Sequence, residues 1–436
     1  MQTIQGLQDS PNATETSIRP TVRQRLAAIG VTMADQVMVS GANFLMNVLL
    51  LKALGLAEFG IFALGWLVAM VAMSIQLGLV VCPMMSIGPK LPEDQGTAYY
   101  TAALMQIGAF TMLAFVLVLS GAVLYNQRIS AGALDHLALP LAAATATTLL
   151  QDGVRRILFT RGRTLAVLVS DTATHSVRLA TFGWVAVAGQ TLTVSGALLV
   201  IAATAAVGAV IGVGRIAPFA FDFNVIRRSA IRHWASGRWL AASGIMQWFL
   251  ANAFVMAAGT LLGPAAAGIL RAGQTLVGVL NVLLQAQENI LPQRASRALM
   301  EGGYSGLSRI IGVAAVVSLV PGVALVAILS AAPGYWMGLI FGPELEPYGA
   351  VLVLQSLTML LIIVGLLPLY GLRALEQTRS GFTAPAVGCL LSIAIAIPFI
   401  QIWGVVGAAA GQLLAQTVMA LWLGAAFASS MSAAYR

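Results

Sequence analysis

The chain has 436 residues, of which 59% are hydrophobic and only 9% are charged. This composition excludes an ordinary soluble globular protein and predicts an all-α polytopic membrane protein. A net charge of +8 would point to nucleic acid in a soluble chain, but the cations here are distributed as membrane topology requires, so we expect no nucleic-acid partner.

Stretches of about 20 apolar residues, the length at which a helix spans a bilayer, predict about twelve transmembrane helices. The long polar connection in the middle of the series separates two groups of six. In chain order the predicted spans lie near residues 30–54, 59–83, 97–124, 137–157, 164–188, 192–214, 238–262, 265–291, 307–331, 348–371, 381–400 and 404–428.

The predicted domains follow from this series of spans. We expect two six-helix bundles joined by a basic cytoplasmic linker, with a short tail at each end and no cleavable signal peptide. The segments are an N-terminal tail at 1–28, a first bundle at 29–214, the linker at 215–237, a second bundle at 238–430 and a C-terminal tail at 431–436.

The basic residues alternate between the connections. Most of the 23 Lys and Arg residues fall in the tails or in even-numbered connections, whereas the odd-numbered connections hold Arg128 and the acidic pair Glu344 and Glu346. Because cytoplasmic loops carry an excess of positive charge, this alternation places both termini in the cytoplasm.

Two Gly-containing turns indicate an internal repeat. LGLAEFGIFALG at 54–65 returns as LGPAAAGILRAG at 262–273, an offset of 208 residues. Each copy separates two apolar segments, as expected where a hairpin of membrane helices turns at the bilayer surface. The offset makes Ala63 and Arg271 equivalent positions, so one half has acquired a charge that the other lacks.

Polar residues recur along one face of the first span. Their spacing keeps them within about 60° of arc, so they either line a cavity or hydrogen-bond to neighbouring helices. Asp35, near the cytoplasmic end, is expected to be solvated, and Lys52, near the outer end, either snorkels to the surface or contributes a cation. The residues of this face are Gln36, Ser40, Asn43 and Asn47.

The fifth span carries Asp171, His175 and Arg178 on one helical face. The carboxylate and the guanidinium either neutralise each other or take part in substrate binding or ion coupling. His175 is the proton-coupling candidate because its charge changes near neutral pH.

The eighth span carries the strongest polar spacing in the chain. Five residues fall within about 100° of arc on a continuous helix and predict a polar stripe along it. Arg271 lies about two turns inside the predicted outer boundary, at a depth suited to binding an anion. The stripe consists of Arg271, Gln274, Asn281, Gln285 and Glu288.

The sequence has no motif for catalysis or nucleotide hydrolysis. A phosphate-binding Gly-rich loop, an HExxH zinc motif and a Gly-x-Ser-x-Gly elbow are all missing from it. The two cysteines, Cys82 and Cys389, do not form a disulfide framework or a metal motif. We therefore expect a protein that is not an enzyme and needs no cofactor or metal.

Short motifs recur through both halves, mainly in spans one, two and eight. They are Asp35-Gln36, Ser40-Gly41, Asn43-Phe44, Leu54-Gly55, Glu58-Phe59-Gly60 and Phe62-Ala63-Leu64 in the first half, and Gly268, Leu270-Arg271-Ala272, Gln274, Glu288-Asn289, Leu291-Pro292 and Phe341-Gly342 in the second. With these motifs most of the chain resembles the bacterial polysaccharide flippases of the Wzx type, members of the multidrug/oligosaccharidyl-lipid/polysaccharide (MOP) exporter superfamily.

The resemblance implies a MATE-like fold, in which two six-helix bundles rock around a central cavity in the bacterial inner membrane. It implies a cationic cavity that receives an undecaprenyl-pyrophosphate-linked oligosaccharide for export as lipopolysaccharide or exopolysaccharide. Membrane lipids, a polysaccharide polymerase and glycosyltransferases are the implied partners.

Residues for each part of such a mechanism follow from the polar positions above. Arg271, Arg178 and Lys52 are the candidate ligands of the pyrophosphate. Asp35, Asp171, His175 and Glu288 are the candidates for ion coupling. The candidate sugar contacts are Gln36, Asn43, Asn47, Gln274, Asn281 and Gln285.

Two other functions remain open at this point. A drug/cation antiporter of the same superfamily requires acidic cavity residues that are not paired with Arg. A non-transporting scaffold of the polysaccharide assembly machinery requires none of the buried charges. The charge that lines the cavity distinguishes the three.

Overall fold

The computed structural model of this protein describes residues 22–128 and 136–434, and all regular secondary structure in these ranges is helical. A π-helical segment, Leu77–Val81, joins α2 to α3, and the 3₁₀ segment Gly278–Leu280 joins α9 to α10. The helices are α1 (Val22–Leu54), α2 (Leu56–Gln76), α3 (Cys82–Ile87), α4 (Glu93–Arg128), α5 (Ala138–Thr160), α6 (Thr164–Val187), α7 (Val194–Ile216), α8 (Phe223–Leu261), α9 (Pro264–Val277), α10 (Asn281–Ala331), α11 (Pro333–Phe341), α12 (Gly349–Ala374) and α13 (Thr378–Ala434).

These helices form twelve spans, because some helices contain parts of two predicted spans and some predicted spans consist of two helices. Gly303, at φ 60°, bends α10, and Gly404, at φ 59°, bends α13, so each of these helices supplies more than one crossing. Helices α2 and α3 with their π-helical joint form one span, as do α9 and the first part of α10. The result is the predicted all-α, multi-pass architecture of two six-helix halves.

Composition alone identifies fewer crossings in the described residues. Eight helical stretches are long and apolar enough to cross a membrane by length and hydropathy. Helices α5, α6 and α9 are not among them: α9 has only 14 residues, and α5 and α6 carry charged residues, among them Arg155 and Asp171, within otherwise apolar sequence. Arg155 and Asp171 belong to the candidate site described below.

Three helices extend into the predicted tails and linker: α1 begins and α13 ends within the tails, and α8 begins within the linker. Residues 1–21 and 435–436 lie outside the described residues, while α1 already begins at Val22 and α13 continues to Ala434. Between the halves only residues 217–222 are non-helical. Asp222 caps α8, accepting hydrogen bonds from the backbone N–H groups of Asn224 at 2.8 Å and Val225 at 3.3 Å, so 223–237 are helical.

The two Gly turns meet across the halves. A Cβ atom added to Gly60 would overlap the carbonyl group of Pro264, and one added to Gly268 would lie 2.7 Å from the carbonyl oxygen of Leu56. Leu56 and Pro264 are themselves equivalent by the 208-residue offset. The sequence repeat therefore corresponds to a reciprocal contact between α2 and α9.

Residues of both halves share two of the hydrophobic cores, one of which joins Leu67 of α2 to Phe254 of α8 and Ile269 of α9. The other, at the end with the Gly55 and Gly263 turns, contains residues of both halves, among them Leu50, Phe59 and Leu276. At the opposite end each half has a core of its own, around Met84 in the first half and around Tyr370 in the second. The cores that contain residues of both halves therefore lie nearer the Gly55 and Gly263 turns than the cores of the separate halves.

Helix α8 also contacts the first half away from the Gly55 and Gly263 turns, through α2, the π-helical segment and α4. A Cβ on Gly237 would lie 2.7 Å from the carbonyl oxygens of Gly78 and Leu79 in the π-helical segment. Pro83 has no N–H group to donate to the Leu79 carbonyl, which explains why the α-helical ladder is interrupted there. The interrupted helix and the Gly residue together allow backbone-to-backbone packing.

Candidate functional site

A buried cluster of three charged groups ties α1, α5 and α6 together. The Arg155 guanidinium donates from Nη2 to Asp35 Oδ2 at 2.7 Å and from Nε to Asp171 Oδ2 at 2.5 Å. The side chains of Asp35 and Asp171 are 1% and 2% exposed, and that of Arg155 is 17% exposed. We call these residues the Asp-Arg-Asp cluster.

The expectation that Asp35 is solvated is wrong. It is fully buried because a cation from another helix neutralises it, which removes the need for water. Asp171 likewise pairs with Arg155 rather than with Arg178 on its own helix. Arg155 is not among the candidate residues of the sequence analysis, and its position at the end of an apolar run was the signal for a buried partner.

The cluster is not neutral when all three groups are ionised, since two carboxylates share one guanidinium. In addition, Asp35 Oδ1 is buried and has no hydrogen-bond partner. A buried polar atom without a partner is costly, so this oxygen is the unsatisfied acceptor of the cluster.

The buried face of α6 continues beyond the cluster as predicted. Asp171, His175 and Arg178 are 1%, 8% and 6% exposed and share this face. Arg178 donates from Nε to Thr204 Oγ1 at 3.0 Å and from Nη2 to the carbonyl oxygen of Ile201 at 3.4 Å. Arg178 is therefore enclosed between α6 and α7 inside the first half.

Arg271 lies where α9 of the second half packs against α2 of the first. Its guanidinium contacts Gln274 Oε1 at 3.3 Å and the sulfur of Met70 on α2 at 3.7 Å. No carboxylate of the described residues lies within 4 Å of it, in contrast to Arg155. Arg271 is thus a cation at the boundary of the halves without an internal counter-ion.

A buried amide supports the backbone next to Arg271. Gln355 on α12 donates from Nε2 to the carbonyl oxygen of Leu270 at 2.9 Å, while its Oε1 has no partner. The glycine at 273 leaves room for this side chain, because a Cβ there would overlap Gln355 Oε1. The position of Arg271 is therefore held from the second half.

The predicted stripe on a single continuous helix is wrong. The 3₁₀ segment Gly278–Leu280 ends α9, and Asn281 begins α10. Because a 3₁₀ turn rotates about 120° per residue instead of 100°, the residues beyond it change direction relative to Arg271. Before the 3₁₀ segment, Arg271 and Gln274 are half-buried. Beyond it, Asn281, Gln285 and Glu288 are exposed.

The polar residues of α1 are also accessible. Gln36 and Asn47 are half-buried and Asn43 is exposed, with Asn47 Nδ2 donating to the Asn43 carbonyl oxygen at 3.0 Å. Lys52 is exposed in the last turn of α1. Since α1 packs against both α6 and α9, it connects the Asp-Arg-Asp cluster with the helix that carries Arg271.

The sequence matches no protein-family model and no curated protein. Solved structures do match. One is an inward-facing MATE family multidrug resistance transporter of the MOP superfamily, with TM-score 0.69 and 14% identity over 93% of this chain and 98% of the other.

Two further structures share the architecture. The lipid II flippase MurJ, in an inward closed conformation, matches with TM-score 0.65 and 11% identity over 91% of this chain and 86% of that one. A MOP superfamily transporter from Pyrococcus furiosus, described as having a binding pocket of reverse polarity, matches with TM-score 0.62 and 13% identity over 95% and 97%. The chain therefore has the MATE-like fold of MOP superfamily transporters.

Proposed function

We propose that the protein is a flippase that moves an undecaprenyl-pyrophosphate-linked oligosaccharide from the cytoplasmic to the outer face of the bacterial inner membrane. The observation that carries this proposal is Arg271, a cation at the boundary of the two halves with no carboxylate of the described residues within 4 Å. The shared fold with a lipid II flippase supports the same class of substrate.

The pyrophosphate requires compensating charge to enter a region of low dielectric. Arg271 supplies a planar guanidinium whose donors match phosphate oxygens, and its present contacts, an amide oxygen and a thioether, are weak competitors. In our proposal Arg178 and Lys52 are secondary cations. Arg178 first has to leave its partners on α7, whereas Lys52 is already exposed.

The sugars require hydrogen-bonding partners, and these side chains must be accessible to water before the sugars bind. The amide side chains of α1, α9 and α10 are half-buried or exposed and provide both donors and acceptors. The lipid tail stays in the bilayer throughout. The proposed sugar contacts are Gln36, Asn43, Asn47, Gln274, Asn281 and Gln285.

Entry from the cytoplasm agrees with the way in which the halves are joined. Their shared cores lie nearer the predicted outer end, and the separate cores lie at the predicted cytoplasmic end. In our proposal a substrate headgroup enters from the end with the separate cores and reaches Arg271 near the joined end. Closing the first end and opening the other completes alternating access.

The energy for transport is proposed to come from an ion gradient or the membrane potential. Asp35 and Asp171 carry one negative charge beyond what Arg155 neutralises, and Asp35 Oδ1 has a free acceptor position. Adding a proton or a cation there changes how α1 is held to α5 and α6. His175, which lies nearby on α6, and the exposed Glu288 are further candidates.

A drug/cation antiporter is the second candidate. It requires an accessible carboxylate without an Arg partner, and Glu288, which is exposed on α10, meets this description. Asp35 and Asp171 do not, because both are buried and paired with Arg155. A non-transporting scaffold, the third candidate, provides no reason for an uncompensated Arg271.

The decisive experiment measures flipping by Arg271→Ala in proteoliposomes loaded with a fluorescent pyrophosphate-linked oligosaccharide. We expect flipping to be abolished, while Arg309→Ala, an exposed Arg of α10, flips normally. Arg271→Lys, which keeps the charge but loses the planar fork, should retain only part of the rate. Full flipping by Arg271→Ala would remove Arg271 from the mechanism.

The same proteoliposomes separate the alternatives. Gradient-driven efflux of a cationic dye that depends on Glu288 and not on Arg271 would support the antiporter. Flipping that is unchanged after both the ion gradients and the potential are collapsed would contradict the proposed energy source. In the cell, the proposed partners are the polymerase and glycosyltransferases that consume and supply the lipid-linked sugar.

A further inference from the structure

Helix α8 is too long to lie within the hydrocarbon core. Its 39 residues extend about 58 Å, whereas the core is about 30 Å thick and the bilayer with headgroups about 40–45 Å. Leu261, beside the Gly263 turn, is the last residue of α8. Measured from Leu261 along the helix axis, Arg238 lies at about 35 Å and Arg232 at about 44 Å. The first turns of α8 therefore pass through the headgroup layer.

These first turns expose aromatic and basic side chains together. Phe223, Arg227, Ile231, Trp234 and Arg238 lie within about 80° of arc. Phe223 is 79% exposed and Trp234 is 60% exposed, while Arg227 and Arg238 are also exposed. Large aromatic residues next to arginines are typical of a surface at the membrane interface.

The opposite face of the same turns is fixed to the first half. His233 Nε2 lies 2.7 Å from Tyr99 Oη, and its Nδ1 lies 2.7 Å from Gln106 Oε1. Gln106 Nε2 in turn donates to Ser229 Oγ at 2.9 Å. The exposed arginines are thus presented by a helix that cannot rotate freely.

A cleft lies between these turns of α8 and α3. Its volume is about 490 Å³, and its walls include Pro83 and Ser86 of α3 with Arg232, Ser236 and Leu240 of α8. Among the described residues no carboxylate lies within 4 Å of the Arg232 guanidinium. Both walls offer hydroxyl oxygens, since Ser86 and Ser236 each donate to their own helix and can still accept.

We propose that this cleft binds the headgroup of an anionic phospholipid from the cytoplasmic leaflet, with Arg232 as the ligand of its phosphate. Arg228, one turn earlier on α8, adds positive charge, and Leu240, on the side nearer the bilayer core, contacts the start of the acyl chains. The position in the headgroup layer and the uncompensated arginines favour a membrane lipid as the occupant.

This lipid site is separate from the proposed substrate site. Arg271 is about 10 Å from the start of α9, close to the Gly263 turn, whereas Arg232 is about 44 Å from the same turn along α8. The proposal therefore does not rest on flippase activity. It holds equally for an antiporter or a scaffold with this fold.

Lipid binding to the full-length, delipidated protein in neutral detergent tests the proposal. We expect dioleoylphosphatidylglycerol to raise the thermal unfolding temperature and to remain bound in native mass spectrometry, whereas dioleoylphosphatidylcholine does neither. Arg232→Gln should weaken phosphatidylglycerol binding about fivefold, as expected for one basic residue at an anionic surface. Ala235→Trp, which fills the cleft without changing its charge, should also weaken it.

Arg309→Gln is the matched control, since it removes an exposed Arg from the second half and should leave binding unchanged. Equal binding of the two lipids, or unaltered phosphatidylglycerol binding in both cleft variants, would overturn the proposal. Equal stabilisation by inorganic phosphate would assign the site to a free anion instead of a lipid.

Discussion

Arg155 on α5 forms a 2.7 Å ion pair with Asp35 on α1, a residue that lies 120 positions earlier and is completely buried. The pair crosses the first half and, with Asp171, holds three helices at one point. Removing one member of such a buried network leaves an uncompensated charge, which is far more costly than losing an exposed ion pair.

We therefore expect Arg155→Leu to reduce the free energy of unfolding by about 3–5 kcal/mol. Thermal unfolding in detergent measures the loss. Arg156→Leu is the control, because Arg156 is 33% exposed, lies 3.4 Å from Asp152 and should matter by about 1 kcal/mol or less. Adding Asp35→Asn and Asp171→Asn to Arg155→Leu should restore much of the stability, and a triple variant as unstable as the single one would contradict a charge-based explanation.

The close contact of α2 with α9 at Gly60 and Gly268 leaves no room for a side chain, so we predict that an added methyl group destabilises the end at which the halves meet. Gly60→Ala places a methyl group against the Pro264 carbonyl, so we expect the free energy of unfolding to fall by about 1–3 kcal/mol. Gly268→Ala should act in the same direction, through the Leu56 carbonyl. Gly41→Ala, on α1, has open space at its Cβ and should leave the unfolding temperature unchanged. Unaltered stability in both contact variants would mean that the halves do not pack this closely.

The hydrogen bond between Tyr99 and His233 holds the start of α8, so we predict that its loss loosens the connection between the halves. Tyr99→Phe leaves the buried imidazole without one of its partners, which costs about 1–3 kcal/mol. We expect faster proteolysis within 217–222 and at the start of α8, measured by limited digestion and mass spectrometry. Tyr125→Phe, on the exposed part of the same helix, should be digested like the unmodified protein.

The hydrogen bond from Arg178 to the Thr204 hydroxyl leads to the prediction that Arg178 depends on α7 for its position. Thr204→Val removes the acceptor of Arg178 Nε and should destabilise the protein by about 1–3 kcal/mol, measured by thermal unfolding. Thr181→Val, on the same helix as Arg178, removes only a hydroxyl bonded to its own helix at 2.8 Å and should have a small effect. Equal effects of the two changes would show that Arg178 does not depend on α7.

Much of the architecture could be predicted from the sequence, because it depends on properties that act along a single helix. Hydrophobic length determined the spans, the 208-residue repeat marked the two turns, and helical spacing placed Asp171, His175 and Arg178 on one face. These are local properties: each needs only the 1.5 Å rise and 100° rotation of the helix.

Tertiary structure decided which of these groups meet. Asp35 is buried because Arg155 reaches it from another helix, and that pairing depends on how α1 packs against α6 and α6 against α5. The break at Gly278 and the fixed face of α8 around His233 likewise arise from contacts between helices. Spacing along one helix determines the face on which a charge lies, but its partner, and hence its burial, is chosen by packing between helices that are far apart in the chain.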